Sequence, residues 1–407
     1  VQPLGFSIDI PRGACPDFGP DSQVRMTTTL TFTGHDRPGI TAELLGSLGD
    51  RVQVHDIEQL VVQGRLVLSV AVETDGLPDI EDLAARLGLE LDIAKECPDV
   101  VNRKAATALC VLMAPELRAA DVGRIAGEIA SRQGNIERIV RIAEYPVTAI
   151  EVTVSGVSDA ALKQALAPIS REIGVDVAVQ SAATIRQGAR LVVMDVDSTL
   201  IQDEVIDLLA RQAGCEAAVA AVTERAMAGE LDFADSLRER VAALRGTPQS
   251  ALQQVSDSIR LTPGARTLCR TLISLGYRLA LVSGGFEEIV GPLAQQMGVH
   301  RYRANRLEVA DGLLTGRVLA PIVDRAGKAA ALREFAEEFG FDVTRTVAIG
   351  DGANDLDMLA AAGLGVAFNA KPAVAAAADA SVTAPYLDSV LYLLGITREQ
   401  VEALDVR

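Results

Sequence analysis

The sequence predicts an α/β protein in which two small ferredoxin-like domains precede a larger domain built on a parallel sheet. One β-α-β-β-α-β order of apolar segments occurs twice in the N-terminal half, which is typical of tandem copies of one supersecondary plan. After residue 189, short apolar runs alternate with longer helical stretches, as in a parallel sheet covered on both faces. A composition of 49% hydrophobic and 23% charged residues is that of a globular protein.

The first domain is predicted over residues 26–100, after a proline- and glycine-containing stretch, 1–25, that we interpret as a peripheral extension. A glycine-containing turn at 34–39 separates its first strand from its first helix. The predicted elements are a strand at 27–32, a helix at 40–48, strands at 57–62 and 66–72, a helix at 80–87 and a strand at 89–93.

The second domain, predicted over residues 104–182, repeats this order about 80 residues further along the chain. Its mixed hydrophobic periods exclude a coiled coil. The predicted elements are a strand at 108–113, a helix at 120–133, strands at 136–142 and 147–154, a helix at 159–173 and a strand at 175–180.

The third domain is predicted over residues 188–407. Residues 202–275 have helical periodicity and are too long for an ordinary crossover, so we expect a helical cap at about 203–262. A hairpin is predicted at 302–318, with its turn at Asp311 and Gly312. The apolar runs expected to form the parallel sheet are 191–194, 278–282, 345–349 and 364–368.

The net charge of −17 argues against a nucleic-acid-binding protein, which needs clustered cations that face phosphates. It leaves a small phosphorylated substrate open, because one metal ion and one or two cations can invert the potential locally. The longest stretch without a charged residue, 358–370, has 13 residues, so no membrane segment is expected.

Cysteine usage indicates a reducing compartment. The five cysteines are scattered and form no CxxC pair, so we expect free thiols. The N-terminus lacks a basic start followed by an apolar block, the pattern of a secretory signal. The expected location is therefore the cytoplasm.

Two carboxylates follow the first apolar run of the third domain. Asp195 and Asp197 stand at a predicted strand end, where open α/β sheets bind their ligands. At that place one carboxylate could attack as a nucleophile while the other transfers a proton. For this motif alone a capped helix start is the alternative, because Asp, Ser and Thr are good N-caps.

The second strand end offers Ser283 and Gly284, a hydroxyl and a small residue that suit a phosphate oxygen. Lys328 precedes a predicted helix and can neutralise a phosphate or a carboxylate. Taken singly, a glycine-rich turn and a solvated lysine are the plain alternatives. The third strand end, 350–355, is acidic, and Asp351 suits the hard oxygen coordination of Mg²⁺, although an Asp- and Gly-rich turn is again possible.

Together, these pieces resemble the four signatures of the haloacid dehalogenase superfamily of phosphatases, over residues 189–382. The resemblance implies a Rossmann-like core with a helical cap. Ser198 in the first motif, Glu204, and the insertion residues Met227, Phe233 and Arg240 narrow it to the phosphoserine phosphatases of that superfamily. The N-terminal repeats resemble ACT domains, which are small amino-acid-sensing modules.

The resemblance implies hydrolysis of O-phospho-L-serine to L-serine and phosphate, the last step of serine biosynthesis. Asp195 would attack phosphorus and form an aspartyl-phosphate, and Asp197 would act as general acid and then as general base. We expect neighbouring carboxylates to raise the pKa of Asp197. Mg²⁺ would be bound by Asp195, the backbone carbonyl of Asp197 and Asp351, with Asp355 in support.

Substrate recognition is implied in the same way. The phosphoryl oxygens would be held by Ser283, Gly284, Lys328 and Asn354. In the cap, Glu204 would bind the ammonium of the substrate and Arg240 its carboxylate, each of them otherwise an ordinary surface charge. The residues that would exclude water around the substrate are Met227 and Phe233.

The ACT resemblance makes Gly34, Asp36 and Gly39 the candidates for a regulatory ligand, with L-serine, the expected product, as that ligand. The matching segment of the second repeat, 114–119, lacks both glycines, which favours a packing role for that repeat. Because ACT-like units commonly pair their sheets, we expect a homodimer or a larger assembly through residues 26–182.

Two other functions stay open at this point. One is a phosphatase or phosphotransferase of the same superfamily that acts on another small phosphate ester. The other is an amino-acid-sensing protein with weak catalysis, which the complete acidic set argues against. Hydrolysis of phosphoserine beside a panel of phosphosugars and nucleotides separates the three.

Overall fold

The computed structural model describes residues 27–48, 52–73, 79–96, 106–185, 188 and 190–405. The predicted extension at 1–25 and the residues Cys15 and Cys97 lie outside these ranges. The chain divides into two compact units, Val1–Arg103 and Lys104–Arg407. Among the described cysteines, Cys110, Cys215 and Cys269 are free thiols, as expected.

The first unit contains the predicted β-α-β-β-α-β fold. Its four-stranded antiparallel sheet has the order β2-β3-β1-β4. Alternate side chains of β1 and β3, such as Phe32 and Leu68, pack with the helices in one core, because successive strand residues point to opposite faces. The elements are β1 (Thr27–His35), α1 (Ile40–Leu48), β2 (Gln53–Val62), β3 (Arg65–Glu73), α2 (Ile80–Leu87) and β4 (Leu89–Glu96).

The opposite face of this sheet carries exposed apolar side chains. Leu60 and Val62 of β2 are each 51% exposed, and Val67 of β3 is 40% exposed. Because β2 is the edge strand of this sheet and β3 its neighbour, these exposed apolar side chains favour pairing with another chain.

The second unit begins with the same fold. The sheet order is β6-β7-β5-β8, and α3 and α4 pack on one of its faces. The helix α4 begins at a serine cap, Ser158, and ends at Gly174 in the left-handed conformation. The elements are β5 (Ala106–Ala114), α3 (Ala119–Ser131), β6 (Asn135–Ala143), β7 (Thr148–Ser155), α4 (Asp159–Ile173), β8 (Asp176–Ser181) and the short α5 (Ala182–Ile185).

The other face of this second sheet is covered from within the chain. Met113, Ala149 and Ala178 belong to one buried cluster with Leu391, near the C-terminus. The carboxylate of the buried Asp176 accepts hydrogen bonds from the backbone N–H of Thr383 at 2.8 Å and from the hydroxyl of Ser381 at 3.2 Å. The second repeat is therefore packed into the larger domain.

The larger domain is built on a seven-stranded sheet of order β12-β11-β10-β9-β13-β14-β15. All neighbouring pairs are parallel except β11 and β12, which form the predicted hairpin with its turn at Asp311 and Gly312. Its strands are β9 (Leu191–Met194), β10 (Arg278–Phe286), β11 (Arg301–Ala310), β12 (Leu313–Leu319), β13 (Thr346–Gly350), β14 (Leu364–Phe368) and β15 (Ala380–Val382).

The insertion between β9 and β10 is helical, as predicted. Within the described range 190–405 it holds the helices α6 (Val205–Ala213), α7 (Glu216–Met227), α8 (Phe233–Ala243), α9 (Ser250–Ser258) and α10 (Ala265–Ser274). The remaining helices are α11 (Glu287–Gln296), α12 (Arg325–Glu338), α13 (Leu356–Ala361), α14 (Pro372–Ala377), α15 (Val390–Leu393) and α16 (Arg398–Asp405). In the part of the chain that the structure describes, no helix is long and apolar enough to cross a membrane.

Candidate active site

Asp195 and Asp197 lie at the carboxyl end of β9, in the middle of the seven-stranded sheet. Asp195 is 3% exposed, and its Oδ1 accepts a hydrogen bond from the backbone N–H of Val196 at 2.8 Å. Asp197 accepts from the backbone N–H of Val205 at 2.8 Å and from the hydroxyl of Ser283 at 3.1 Å. Two strand ends therefore meet at these carboxylates, as the sheet topology requires.

The turn after Asp197 is held in an unusual backbone conformation. Ser198 has a φ of 55°, a region that residues with a Cβ rarely adopt. Its hydroxyl donates to Oε1 of Glu204 at 2.8 Å. The sharp turn thus brings Glu204 back toward the two aspartates.

The second and third strand ends complete the floor of the site. The Ser283 hydroxyl accepts from the backbone N–H of Gly285 at 2.7 Å, and the Gly284 carbonyl accepts from the side chain of Asn305 at 2.8 Å. On the other side of β9, Asp351 accepts from the hydroxyl of Thr199 at 3.0 Å. These hydrogen bonds fix the loops of three neighbouring strands against one another.

Lys328 is fully buried beneath the site. Its ammonium lies 2.8 Å from Oδ1 of Asp195 and 2.7 Å from Oδ1 of Asp355. Burial alone would lower the pKa of Lys328, but Asp195 and Asp355 outweigh that effect and raise it above its ordinary value. The lysine therefore stays charged and places a fixed cation beside Asp195.

Carboxylates outnumber this cation. Oxygens of Asp195, Asp351 and Asp355 lie within 4.8 Å of one another. Burial raises the pKa of Asp195 well above its usual range, and repulsion from Asp355 adds to it. Burial likewise raises the pKa of Asp351 to about 6. One ammonium among three carboxylates leaves an excess of negative charge for a further cation to balance.

The pKa of Asp197 is also raised, which agrees with the predicted direction but not with the predicted cause. Burial is the largest contribution, whereas the hydrogen bonds from Val205 and Ser283 and the charge of Lys328 lower the pKa. The sequence argument placed the cause in neighbouring carboxylates. Desolvation under the helical insertion is a tertiary effect that the local sequence does not contain.

A cavity of about 450 Å³ opens above these carboxylates. Phe233 and Arg240 line it from α8, and Glu204 lines it from the start of α6. Burial raises the pKa of Glu204 to about 7, and the charge of Asp197 contributes to the rise. The Arg240 Nε donates to the carbonyl of Ser236 at 3.4 Å, and among the described residues Arg240 has no ion-pair partner. Its guanidinium is therefore available to an anion in the cavity.

Some of the predicted site residues line the cavity, whereas others contact the residues that line it. Those that line it are Asp195, Asp197, Glu204, Phe233, Arg240, Gly284, Asp351 and Asn354. Ser283, Lys328 and Asp355 instead hold lining residues or loops through hydrogen bonds and ion pairs. Met227 is the last residue of α7, and its side chain lies outside the described part of the structure.

Sequence reasoning missed several lining residues. Thr223 and Ser236 contribute from the cap, and Lys371 contributes from the loop after β14. The cap residues carry no signal that separates them from other helical positions. Lys371 does have such a signal in the sequence. It follows the apolar run 364–368, which forms the predicted strand β14, and ligands bind beyond the carboxyl ends of such strands.

The candidate regulatory residues lie in the first unit. Gly34 is the next-to-last residue of β1, where an added Cβ would approach Leu89 Cδ2 to 2.4 Å, so close strand packing explains this glycine. Gly39 has a φ of 90° directly before α1 and faces open space apart from the Glu43 side chain, 3.9 Å away. The backbone N–H of Asp36 donates to the carbonyl of Gly64 at 2.9 Å.

Three segments of the chain match known protein families. Residues 192–360 match the haloacid dehalogenase-like hydrolase family, and residues 27–95 and 106–180 each match an ACT domain family.

Two relatives match this chain over most of their own length. A phosphoserine phosphatase of Streptomyces coelicolor is 52% identical over 387 residues, which cover 93% of this chain and 94% of the relative. A phosphoserine phosphatase of Mycobacterium tuberculosis is 46% identical, with 94% and 96% covered. Among solved structures, a probable phosphoserine phosphatase from Vibrio cholerae is 34% identical with a TM-score of 0.56, covering 72% of this chain and 88% of that one.

Proposed function

The chain belongs to the phosphoserine phosphatases, within the haloacid dehalogenase-like hydrolases, and we propose that it hydrolyses O-phospho-L-serine to L-serine and phosphate. The observation that carries the proposal is one cavity that holds two strand-end aspartates together with a carboxylate and an unpaired guanidinium. The first pair suits a phosphate ester, and the second pair suits an amino acid. Phosphoserine combines these groups in one small molecule.

The chemistry is divided between the two aspartates. Asp195 attacks phosphorus, so that a bond forms between its carboxylate oxygen and phosphorus as the bond to the serine oxygen breaks. Asp197 gives its proton to the departing serine oxygen, and the resulting carboxylate then takes a proton from the water that hydrolyses the aspartyl-phosphate. The raised pKa of Asp197 favours the protonated form that the first step requires.

Neighbouring groups orient these two residues and stabilise charge. Lys328 lies against Asp195 and places a positive charge beside the phosphoryl group. Gly284, near the end of β10, and Asn354 line the cavity and would meet the phosphoryl oxygens, and the Ser283 hydroxyl donates to Asp197 beside them. These groups come from the end of β10, the segment after β13 and the helix α12, so the folded chain, and not the local sequence, assembles them.

The acidic group fits Mg²⁺. Three clustered carboxylates provide the hard oxygen ligands that this ion prefers, and their excess negative charge over Lys328 suits a divalent cation. We assign the ion to Asp195, Asp351 and the backbone carbonyl of Asp197, with Asp355 in support. When bound, Mg²⁺ would neutralise charge on the phosphoryl oxygens.

Phosphatase assays on the purified protein test this function. We expect release of phosphate from L-phosphoserine to be much faster than from a panel of phosphosugars and nucleotides, and to be lost in EDTA and restored by Mg²⁺. Equal rates across the panel would favour a general phosphatase. No release from any ester in Mg²⁺ would contradict the proposal.

We propose further that an amino acid, with L-serine as the candidate, regulates the enzyme at residues 34–39 of the first ACT domain. Gly39→Val fills the open space beside that turn and is expected to abolish serine inhibition at saturating phosphoserine. Because Gly39 has a positive φ, Gly174→Val in the second repeat, with a φ of 68°, is the control for backbone strain. Serine inhibition that persists in Gly39→Val would contradict this site.

We propose that the protein forms a homodimer or a larger assembly through its ACT domains. The exposed apolar side chains of Leu60, Val62 and Val67 support this assignment, since pairing would remove them from water. Sedimentation equilibrium should show a multimer in which Leu60→Glu weakens association. A monomer at all concentrations would contradict the proposal.

A further inference from the structure

Lys371 lies in the short loop at the carboxyl end of β14, one strand beyond β13 and its loop with Asp351. Two features set the backbone there. Asn369 adopts a φ of 45° and donates its N–H to the carbonyl of Val382 at 2.9 Å, and Pro372 follows Lys371 directly. A residue before proline is confined to extended conformations, and Lys371 has φ −61° and ψ 150°. The loop therefore fixes the direction of the Cα–Cβ bond of Lys371.

Lys371 reaches the active-site cavity. Lys371 lines the cavity together with Asn354 and Asp351, although its side chain is largely exposed. Among the described residues it has no ion pair and no side-chain hydrogen bond. An unpaired ammonium at the edge of a cavity is free to contact whatever enters it.

The two other cations of the site, Lys328 and Arg240, already have partners or assigned roles. Lys328 is held between Asp195 and Asp355 beneath the cavity. Arg240 lies on the cap and is assigned to the carboxylate of the substrate. Lys371 thus adds a positive charge at the core side of the cavity mouth that none of the assigned roles uses.

An anionic substrate meets an unfavourable potential on its way in. The protein carries a net charge of −17, and two cations, Arg240 and Lys371, line the cavity beside five carboxylates. A cation at the mouth of such a cleft raises the local concentration of an anion and speeds its capture, and this effect weakens as salt screens it. The carboxylates are Asp195, Asp197, Glu204, Asp232 and Asp351.

We propose that Lys371 is a substrate-binding residue that captures the anionic substrate at the mouth of the cavity and takes no part in bond making. The proposal rests on the proposed function, because it needs a substrate with phosphate and carboxylate charges. It separates the site into a buried cation, Lys328, that serves the chemical step, and an exposed cation, Lys371, that serves binding.

A charge series at position 371 tests the proposal. Steady-state kinetics with L-phosphoserine in saturating Mg²⁺ would compare Lys371→Arg, Lys371→Gln and Lys371→Glu with the unmodified protein at low and high salt. We expect KM to rise about fivefold in Lys371→Gln and further in Lys371→Glu, with kcat within about twofold. Lys371→Arg should retain the original KM, and the dependence of kcat/KM on salt should be flatter in Lys371→Gln.

Arg333 provides the matched control, because it is an exposed cation of α12 without an ion pair among the described residues. Arg333→Gln removes the same charge from the protein and should leave KM and its salt dependence unchanged. Equal changes in Arg333→Gln and Lys371→Gln would reduce the effect to net charge and overturn the proposal. An unchanged KM in Lys371→Glu would overturn it as well.

Failure of the role proposed for Lys371 can be distinguished from failure of the proposed phosphatase activity. If the unmodified protein fails to hydrolyse phosphoserine, the function is wrong, and calorimetric binding of inorganic phosphate to the same variants then decides the role of Lys371. Weaker phosphate binding in Lys371→Gln but not in Arg333→Gln would support it. Equal phosphate binding in all variants would refute it.

Discussion

Arg240 offers the sharpest test of substrate recognition. Its guanidinium lines the cavity and makes one hydrogen bond, at 3.4 Å, to the carbonyl of Ser236. Burial lowers the pKa of Arg240, while the charges of Glu204, Asp207 and Asp197 oppose that effect. A charged group that is partly desolvated and lacks an ion pair gains most when an anion fills the cavity.

The magnitude follows from the groups involved. Arg240→Ala removes a charge-assisted hydrogen bond to the substrate carboxylate, which is worth about 1.5–3 kcal/mol, or roughly 10- to 150-fold in kcat/KM. Phosphoethanolamine is phosphoserine without its carboxylate, so it has no such bond to lose. The ratio of kcat/KM for the two substrates should therefore fall by roughly this factor.

The assay measures phosphate release from both substrates for the unmodified protein, Arg240→Ala and Arg238→Ala. Arg238 is the matched control, because it lies two residues away on the same helix, is exposed and pairs with Asp235 at 2.8 Å. Arg238→Ala should leave the ratio unchanged. Equal losses on both substrates in Arg240→Ala would show that Arg240 supports closure or folding of the cap, and would refute its role in carboxylate binding.

Three further predictions concern the catalytic groups. Asp195→Asn is nearly isosteric and should lower kcat by at least about 10³-fold with an unchanged circular dichroism spectrum, so near-normal activity would remove Asp195 as the nucleophile. Lys328→Met leaves Asp195 and Asp355 buried without their ammonium, which should destabilise the catalytic domain by about 3–5 kcal/mol in thermal unfolding, whereas Lys371→Met should have almost no effect. Glu204 is ionised above its pKa of about 7 and neutral below it, so KM for phosphoserine should rise as the pH falls below 7. The same profile with 3-phosphoglycerate, which has a hydroxyl in place of the ammonium, should lack this rise, and a rise of equal size would contradict the assignment.

Much of the fold could be predicted because the sequence features that mark the ends of its helices and strands are local. The helices α1, α2 and α4 and the strands β9 and β14 have the predicted bounds, since caps, glycines and apolar runs mark their ends. Several strands extend beyond the predicted bounds into segments that contain polar residues. An example is β2, which begins at Gln53 although its apolar run begins at Ile57. Backbone pairing with β3 continues there without any need for apolar side chains.

The site was predictable where motifs stand at strand ends, and not where tertiary packing decides. The spacing of Asp195 and Asp197 identified the pair, but burial under the insertion, which raises the pKa of Asp197, appears only in the folded structure. Similarly, nothing local shows that Thr223 and Ser236 of the cap face the cavity. These positions depend on how the helices of the cap lie over the sheet.

The two ACT domains share one fold, but their sheets differ in burial. The first sheet has exposed apolar residues on one face, whereas the corresponding face of the second sheet is buried. In the second domain, Met113 packs with the C-terminal part of the larger domain, and Asp176 accepts hydrogen bonds from Ser381 and Thr383 beside β15. The strand β15 pairs with β14, and β14 ends just before the loop that carries Lys371. The second domain is thus linked, through the Asp176 side chain and the paired strands β15 and β14, to the loop that carries Lys371. Its lack of glycines at 114–119 fits the predicted packing role, because one face of its sheet is covered by the catalytic domain.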